Sequence, residues 1–300
     1  MKSSFSKSYF NTLIEFFFNK YKDPLFKKLR KTIIFLSIYS AIVVIGETFF
    51  DKFFDKMQLT NLGQFHLIFS FVLSILVVFR VNSSYSRWWE GRSLWGNLVN
   101  NSRNLGLKFN NYIGLKNDPL FNQCLQNFPL LFKHHLRRHH NICENILNEL
   151  GLKFKSTDHL PTVVINYMYQ RINFYRNNNQ ISLEQYLVID THLANIIDVI
   201  GGCEKISNTP IPVPFKIFVN RALHFYMIVF PFGWAEIFGV LIIPIIIVFV
   251  YILSGLEILA EDMEDPFEEN ETGHYNNLPL DTISETIKNN VVAISEFERI

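Results

Sequence analysis

The sequence predicts an all-α membrane protein: four transmembrane helices plus a helical cytoplasmic region. Three observations carry this expectation. Apolar residues gather in four blocks, near 32–50, 62–79, 215–232 and 235–256. A hydrocarbon core needs roughly 20 helical residues, and the blocks are of that order. A long polar stretch separates the second block from the third, with apolar residues at three-to-four spacing. Lys and Arg are spread unevenly around the blocks, which gives them an orientation. Composition agrees without deciding the matter: 49% of the 300 residues are hydrophobic and 30 are Phe, but soluble domains reach similar apolar fractions. The net charge of +1 argues against a nucleic-acid partner.

Residues 1–31 read as an amphipathic cytoplasmic arm. Lys2, Lys7, Lys20, Lys22, Lys27, Lys28, Arg30 and Lys31 outnumber Glu15 and Asp23, and aromatics such as Phe5, Tyr9 and Phe16 are interleaved. Such a segment suits an anionic leaflet or neighbouring helices. No short apolar core followed by small residues is present there, so a cleavable signal peptide is not expected.

Residues 32–80 read as the first transmembrane hairpin. Its first span covers Thr32 to Phe50, and its second covers Leu62 to Phe79 and stops at Arg80. The 51–61 loop balances Lys52 and Lys56 with Asp51 and Asp55. Residues 81–214 form the helical cytoplasmic region. Leu94, Leu98, Leu105 and Phe109 mark one helical face. Pro119, Pro129 and Pro161 punctuate it, Ser182 begins a helix before Glu184 and Gln185, and Gly201-Gly202 is expected to stop that helix. The stretch "NTPIPVP" at 208–214 is an extended return to the membrane.

Residues 215–256 read as the second hairpin. Pro231 and Gly233 are expected to turn the chain between its two spans, and Pro244 to kink the second of them or to sit where its freed carbonyl is satisfied by a neighbour. Residues 257–300 are an acidic, mostly irregular cytoplasmic tail. Arg80, Arg87, Arg92, Arg103 and Lys108 follow the second span, whereas the turn at 231–235 has no basic residue. Both termini and the polar middle are therefore expected inside, in a plasma or bacterial-type inner membrane. The three cysteines, Cys124, Cys143 and Cys203, fall in that middle and read as reduced, inert thiols.

Four patterns invite a functional reading. On the second span, His66, Ser70 and Ser74 share a face, and Phe71, Ile75 and Phe79 share a neighbouring one. Spacing alone favours the polar stripe as the wall of a water-filled path and the apolar stripe as core or lipid contact. Arg87, Trp88, Trp89, Glu90 and Trp95 crowd the membrane border, as an interfacial belt or as a junction where a span continues into a cytoplasmic helix. "KHHLRRHH" at 133–140 holds four histidines, but no carboxylate lies among them and three cations do. A solvated basic helix face is expected there rather than a metal site. The carboxylates of 261–281 lack the spacing and turn glycine of an EF-hand, so a solvated connector is expected. No nucleotide fingerprint, nucleophile elbow or zinc-protease helix occurs, and neither an enzyme nor a cofactor is indicated.

Three blocks, "FRVNSSYSRWWEGRSLWGNL", "TPIPVPF" and "EDPFEENETGHYNNLPLD", occur in this order. With them the chain resembles the bacterial bestrophin homologues over nearly its whole length. The resemblance implies a homopentamer embedded in the bilayer, a passive channel for small monovalent ions without a catalytic cycle. It places the pore neck on Phe71, Ile75 and Phe79, five copies of which would form apolar rings able to gate by dewetting. It places a second constriction, the cytoplasmic aperture, at Ile206 or Ile211, with Ile206 ranked first. The acidic run of the family's calcium clasp is missing after Asp265-Pro266-Phe267, which implies a channel independent of calcium. Chloride and other anions are implied by family association. A monovalent-cation channel of the same fold, a non-conducting scaffold and a small-solute transporter using the His66 face are the alternatives.

Overall fold

The structure, a computed structural model, describes residues 24–50, 56–269 and 277–297. The basic arm before residue 24 and residues 270–276 of the tail lie outside the described residues. Among the described residues there are nine α-helices. They are α1 (Pro24–Phe50), α2 (Lys56–Tyr112), α3 (Pro119–Leu136), α4 (His140–Glu149), α5 (Leu160–Asn177), α6 (Leu183–Asn208), α7 (Val213–Phe238), α8 (Ile242–Glu264) and α9 (Leu280–Glu296). The chain divides into two compact units.

The first unit comprises residues 24–84 and 211–261 of the described chain. It holds α1, the start of α2, α7 and most of α8. Its core is one apolar cluster that includes Leu29, Ile33 and Leu36 of α1, Leu73 and Val77 of α2, Val219, Leu223 and Met227 of α7, and Ile242, Ile246 and Val250 of α8. The buried residues recur at three-to-four spacing, so each helix commits one face.

The expected turn at Pro231 and Gly233 is corrected. α7 runs through both and ends at Phe238; Gly239 takes φ +50°, and Gly239–Leu241 form a short 3₁₀ turn. Proline removes one helical hydrogen bond, but a helix among apolar neighbours tolerates the loss. Gly233 has a different role: a Cβ there would overlap the His66 ring. The expected kink at Pro244 is corrected as well. α8 begins at Ile242, so Pro244 sits in the first turn, where no intrahelical bond is lost.

The second unit comprises residues 85–210 and 262–297 of the described chain. Its core is larger and includes Trp95, Leu98, Leu105, Phe109, Phe121, Phe128, Phe132, Ile189, Leu193 and Ile196. α3 packs against α4, α5 and α9, and α5 against α6. Asp118 caps α3, accepting a hydrogen bond from the Phe121 N–H at 3.1 Å. Ser182 and Gln185 form the reciprocal capping box of α6.

Other expectations for this unit change. Pro129 lies inside α3 rather than ending it. Gly201-Gly202 does not stop α6, which continues to Asn208. A Cβ on Gly202 would stand 2.9 Å from the Leu94 side chain, so the glycine permits close helix packing. The tail is more ordered than its acidity suggests: α9 is amphipathic and buries Leu280, Ile287, Val291 and Ile294. Cys124, Cys143 and Cys203 are free and buried, and burial pushes the Cys124 and Cys143 thiols up to about 12 and about 11.

Candidate functional site: an apolar stripe and an arginine-anchored junction

Five helices among the described residues are long and apolar enough to cross a membrane: Leu25–Gly46, Gly63–Tyr112, Leu183–Asn208, Val213–Ala235 and Gly239–Glu264. Four correspond to the expected spans, and the chain is a membrane protein. The additional one is α6, expected in the cytoplasmic region. It buries Ile189, Leu193, Ile196, Val199 and Ile200 on one face and carries Glu184, Asp190, Asp198, Glu204 and Lys205 elsewhere.

Helix α2 carries the candidate neck. Within the first unit it buries His66, Leu73, Val77, Arg80 and Ser84. At 100° per residue these five share one side. Phe71, Ile75 and Phe79 fall about 180° away, and they are 68%, 42% and 62% exposed. The polar stripe is different. His66 is buried against Tyr226, Phe230 and Trp234. Ser70 and Ser74 turn their hydroxyls onto their own helix, donating to the Leu67 and Ser70 carbonyls at 2.9 and 2.7 Å. This local bonding satisfies the hydroxyls without an ion or water. At the end of the apolar stripe, buried Arg80 donates to Glu257 at 3.4 Å and to Ser84 at 3.2 Å.

In the second unit the same helix continues unbroken through the Arg-Trp-Trp block. Arg87 is its hub. Its guanidinium donates to the carbonyls of Glu264, Thr209 and Ile206, at 2.9, 2.6 and 2.7 Å. Ile206 and Thr209 end α6, whose last carbonyls have no helical partner, so a cation with a planar fork of donors suits them. Glu90 accepts from Lys205 at 2.7 Å, a second tie to α6. Trp95 is fully buried and stacks on Phe132, with ring centroids 5.6 Å apart. Trp88 and Trp89 stack with Tyr85, and Trp89 stays largely exposed. A Cβ on Gly91 would meet the Pro266 and Phe267 side chains at 3.1 Å, so glycine makes room for the Asp-Pro-Phe segment. Phe267 is buried in the core, which corrects the expectation of a fully solvated connector. Of the two aperture candidates, Ile206 is 2% exposed within this unit, and Ile211 is half-buried.

The "KHHLRRHH" stretch is corrected too: it is not a solvated helix face. α3 ends at Leu136, and Arg138 adopts φ +59°. Lys133 is buried and donates to Asp281 at 2.5 Å. Arg137 donates to the Phe267 carbonyl at 3.2 Å and faces Glu269 and Asp281. Burial, then the Lys133 charge, lowers the His134 ring to about 4. Sequence reasoning missed this because every partner lies far along the chain.

The profile of the bacterial and fungal bestrophin proteins matches residues 9–293. A voltage-dependent anion channel-forming protein of Nostoc sp. is 30% identical over 233 residues, 74% of this chain and 74% of that protein. A protein of the same description from Synechocystis sp. is 31% identical, again over 74% of each chain. The Escherichia coli K12 protein YneE, also described as voltage-dependent anion channel-forming, is 27% identical over 76% of this chain and 75% of its own. A mutant of the Klebsiella pneumoniae bestrophin homologue superposes with a TM-score of 0.78 at 22% identity, covering 90% of this chain and all of that one. With a match that spans almost its whole length, this chain belongs to the bacterial and fungal bestrophin family.

Proposed function

We propose that the chain is one subunit of a homopentameric, bestrophin-type channel that conducts chloride and other small anions passively across the plasma or inner membrane. The single observation that carries this reading is the Phe71, Ile75 and Phe79 stripe, exposed on the side of α2 away from the core of its unit. A bare apolar face of that kind is covered by lipid or by a partner subunit, or lines a lumen. Five copies around an axis would make stacked apolar rings, a neck that opens and closes by wetting. The names of the relatives supply the anion preference.

Burial favours Ile211 over Ile206 as the side chain of the aperture, because the core of its own subunit already holds Ile206. Arg87 then serves as a positioning residue that fixes the end of α6. α6 is assigned to the cytoplasmic region with both termini, since its apolar face is spent on a core and its other faces carry charge.

The purified protein in planar bilayers tests this. Current should reverse at a potential that follows the chloride gradient, and Phe71→Ala, Ile75→Ala and Phe79→Ala together should raise conductance. Reversal that tracks sodium overturns the anion assignment. Silence from protein shown to be pentameric overturns the channel. A conductance altered by Ser74→Ala but not by the triple variant would put the pore wall on the polar face.

A further inference from the structure

His135, His159 and Glu204 come from three separate segments of the second unit. His135 is on the last turn of α3, His159 immediately precedes α5, and Glu204 is near the end of α6. Their ligand atoms lie within 4.8 Å of one another. The Nε2 atoms of both rings approach the same oxygen, Glu204 Oε1, at 2.8 Å for His135 and 2.5 Å for His159. The rings are edge-to-face, with centroids 4.8 Å apart.

Two imidazole nitrogens aimed at one carboxylate oxygen need an atom between each nitrogen and that oxygen, either a hydrogen on each Nε2 or one shared metal cation. The Nδ1 of His159 is 2.6 Å from the Thr162 hydroxyl. When that hydroxyl accepts from Nδ1–H, the Nε2 lone pair points at Glu204. This is how outer partners orient a ligand histidine.

We propose that His135, His159 and Glu204 form a binding site for one divalent transition-metal ion of the zinc class per subunit. Two imidazoles and a carboxylate suit zinc and its neighbours, and they do not suit calcium or magnesium, which take oxygen. Three protein ligands leave a fourth position for water. Bonds of about 2.0–2.1 Å at the tetrahedral angle put ligand atoms about 3.3 Å apart. A small rotation of the partly exposed Glu204 side chain provides that spacing. The nearby cations do not oppose the ion, because Lys133 is engaged by Asp281 and Lys205 by Glu90. A bound ion would fasten the ends of α3 and α6 to the start of α5, two residues before Ile206.

The full-length protein, stripped with chelator, is titrated with zinc by calorimetry and with cobalt by visible absorption. One ion per chain is expected at this site, with the intense cobalt bands of tetrahedral geometry and a higher melting temperature. His159→Ala and Glu204→Gln should each remove one equivalent and the bands. Thr162→Val should weaken affinity by about 10–100-fold, as loss of an orienting partner does. His134→Ala with His139→Ala should leave the bands intact. His159 and Glu204 are partly exposed, and circular dichroism shows whether each variant keeps its fold. Unchanged stoichiometry in folded His159→Ala and Glu204→Gln overturns the site. So does the absence of cobalt bands in the parent, which would mean that protons alone hold the three groups together. Neither readout depends on ion conduction.

Discussion

The two units of this chain hide their apolar residues to different degrees. In the second, Trp95, Phe109, Phe121, Phe128 and Phe132 are all but inaccessible, side chains cap the starts of α3 and α6, and buried Asp118 and Lys133 have partners. In the first, each helix buries one face and leaves others bare: Phe35, Ile38 and Ile42 on α1, Ile68 and Phe71 on α2, Val240 and Leu241 beside α7. One unit completes a core from its own chain. The other is finished only by lipid or by further copies, because in water so much bare apolar surface would drive association.

The largest expected effect lies in the self-sufficient unit. Buried Asp118 caps α3 and also accepts from Arg171 Nε at 2.6 Å and the Tyr175 hydroxyl at 3.1 Å. Asp118→Ala removes the cap and strands a partly buried guanidinium, so a loss of about 3–5 kcal/mol is expected in denaturant unfolding of the detergent-solubilised protein. A loss below about 1 kcal/mol, the range of exposed ion pairs, would break the contrast between the units.

The next effect compares two faces of one helix. Leu73 and Val77 are 2% and 4% exposed. Leu73→Ala is expected to cost about 2–5 kcal/mol. Phe71→Ala, on the opposite face, should change stability by no more than about 0.5 kcal/mol while it alters conductance. Equal costs in thermal melts would mean that the Phe71 face is packed rather than open to a lumen.

The smallest effect sharpens the picture at low pH. The Lys133 ammonium, hydrogen-bonded to Asp281, holds that carboxyl below its usual range. Because the folded value is depressed, the stability this pair contributes is complete above the unfolded value of about 3.9. It is lost as pH falls through the folded value. Asp281→Asn should therefore lower the melting temperature slightly at neutral pH and flatten its decline in acid. An unchanged acid limb would assign the decline to other groups. Asp281 is mostly exposed, and solvent screening keeps the effect small.

Much of the architecture was legible from local composition. Four of the five helices long and apolar enough to cross a membrane, and the helix start at Ser182, needed no tertiary information, whereas at the Arg-Trp-Trp block the sequence left an interfacial belt and a continuing helix both open. Helix ends were less legible. Pro231, Gly233 and Gly202 look like breakers in the sequence, yet they lie inside helices. At Gly233 and Gly202, the missing Cβ lets His66 and Leu94 approach. The candidate neck shows the same limit. A polar stripe in an apolar helix suggests a pore wall, until His66 is found among aromatic rings and the serines are found bonded to their own backbone.

By itself the sequence determined that this is a helical membrane protein, roughly where its spans lie, and, through three ordered blocks, which family it resembles. Those properties follow from composition and pattern within a few turns of chain. The tertiary structure alone decided which face of α2 is committed to a core, what Arg87 holds, and that one carboxylate joins His159 to a histidine of the 133–140 stretch, which has no carboxylate of its own. Glu204 lies 69 residues from His135 and 45 from His159. Side chains that far apart meet only because packing of the helices brings them together, and no local pattern in the sequence records that meeting.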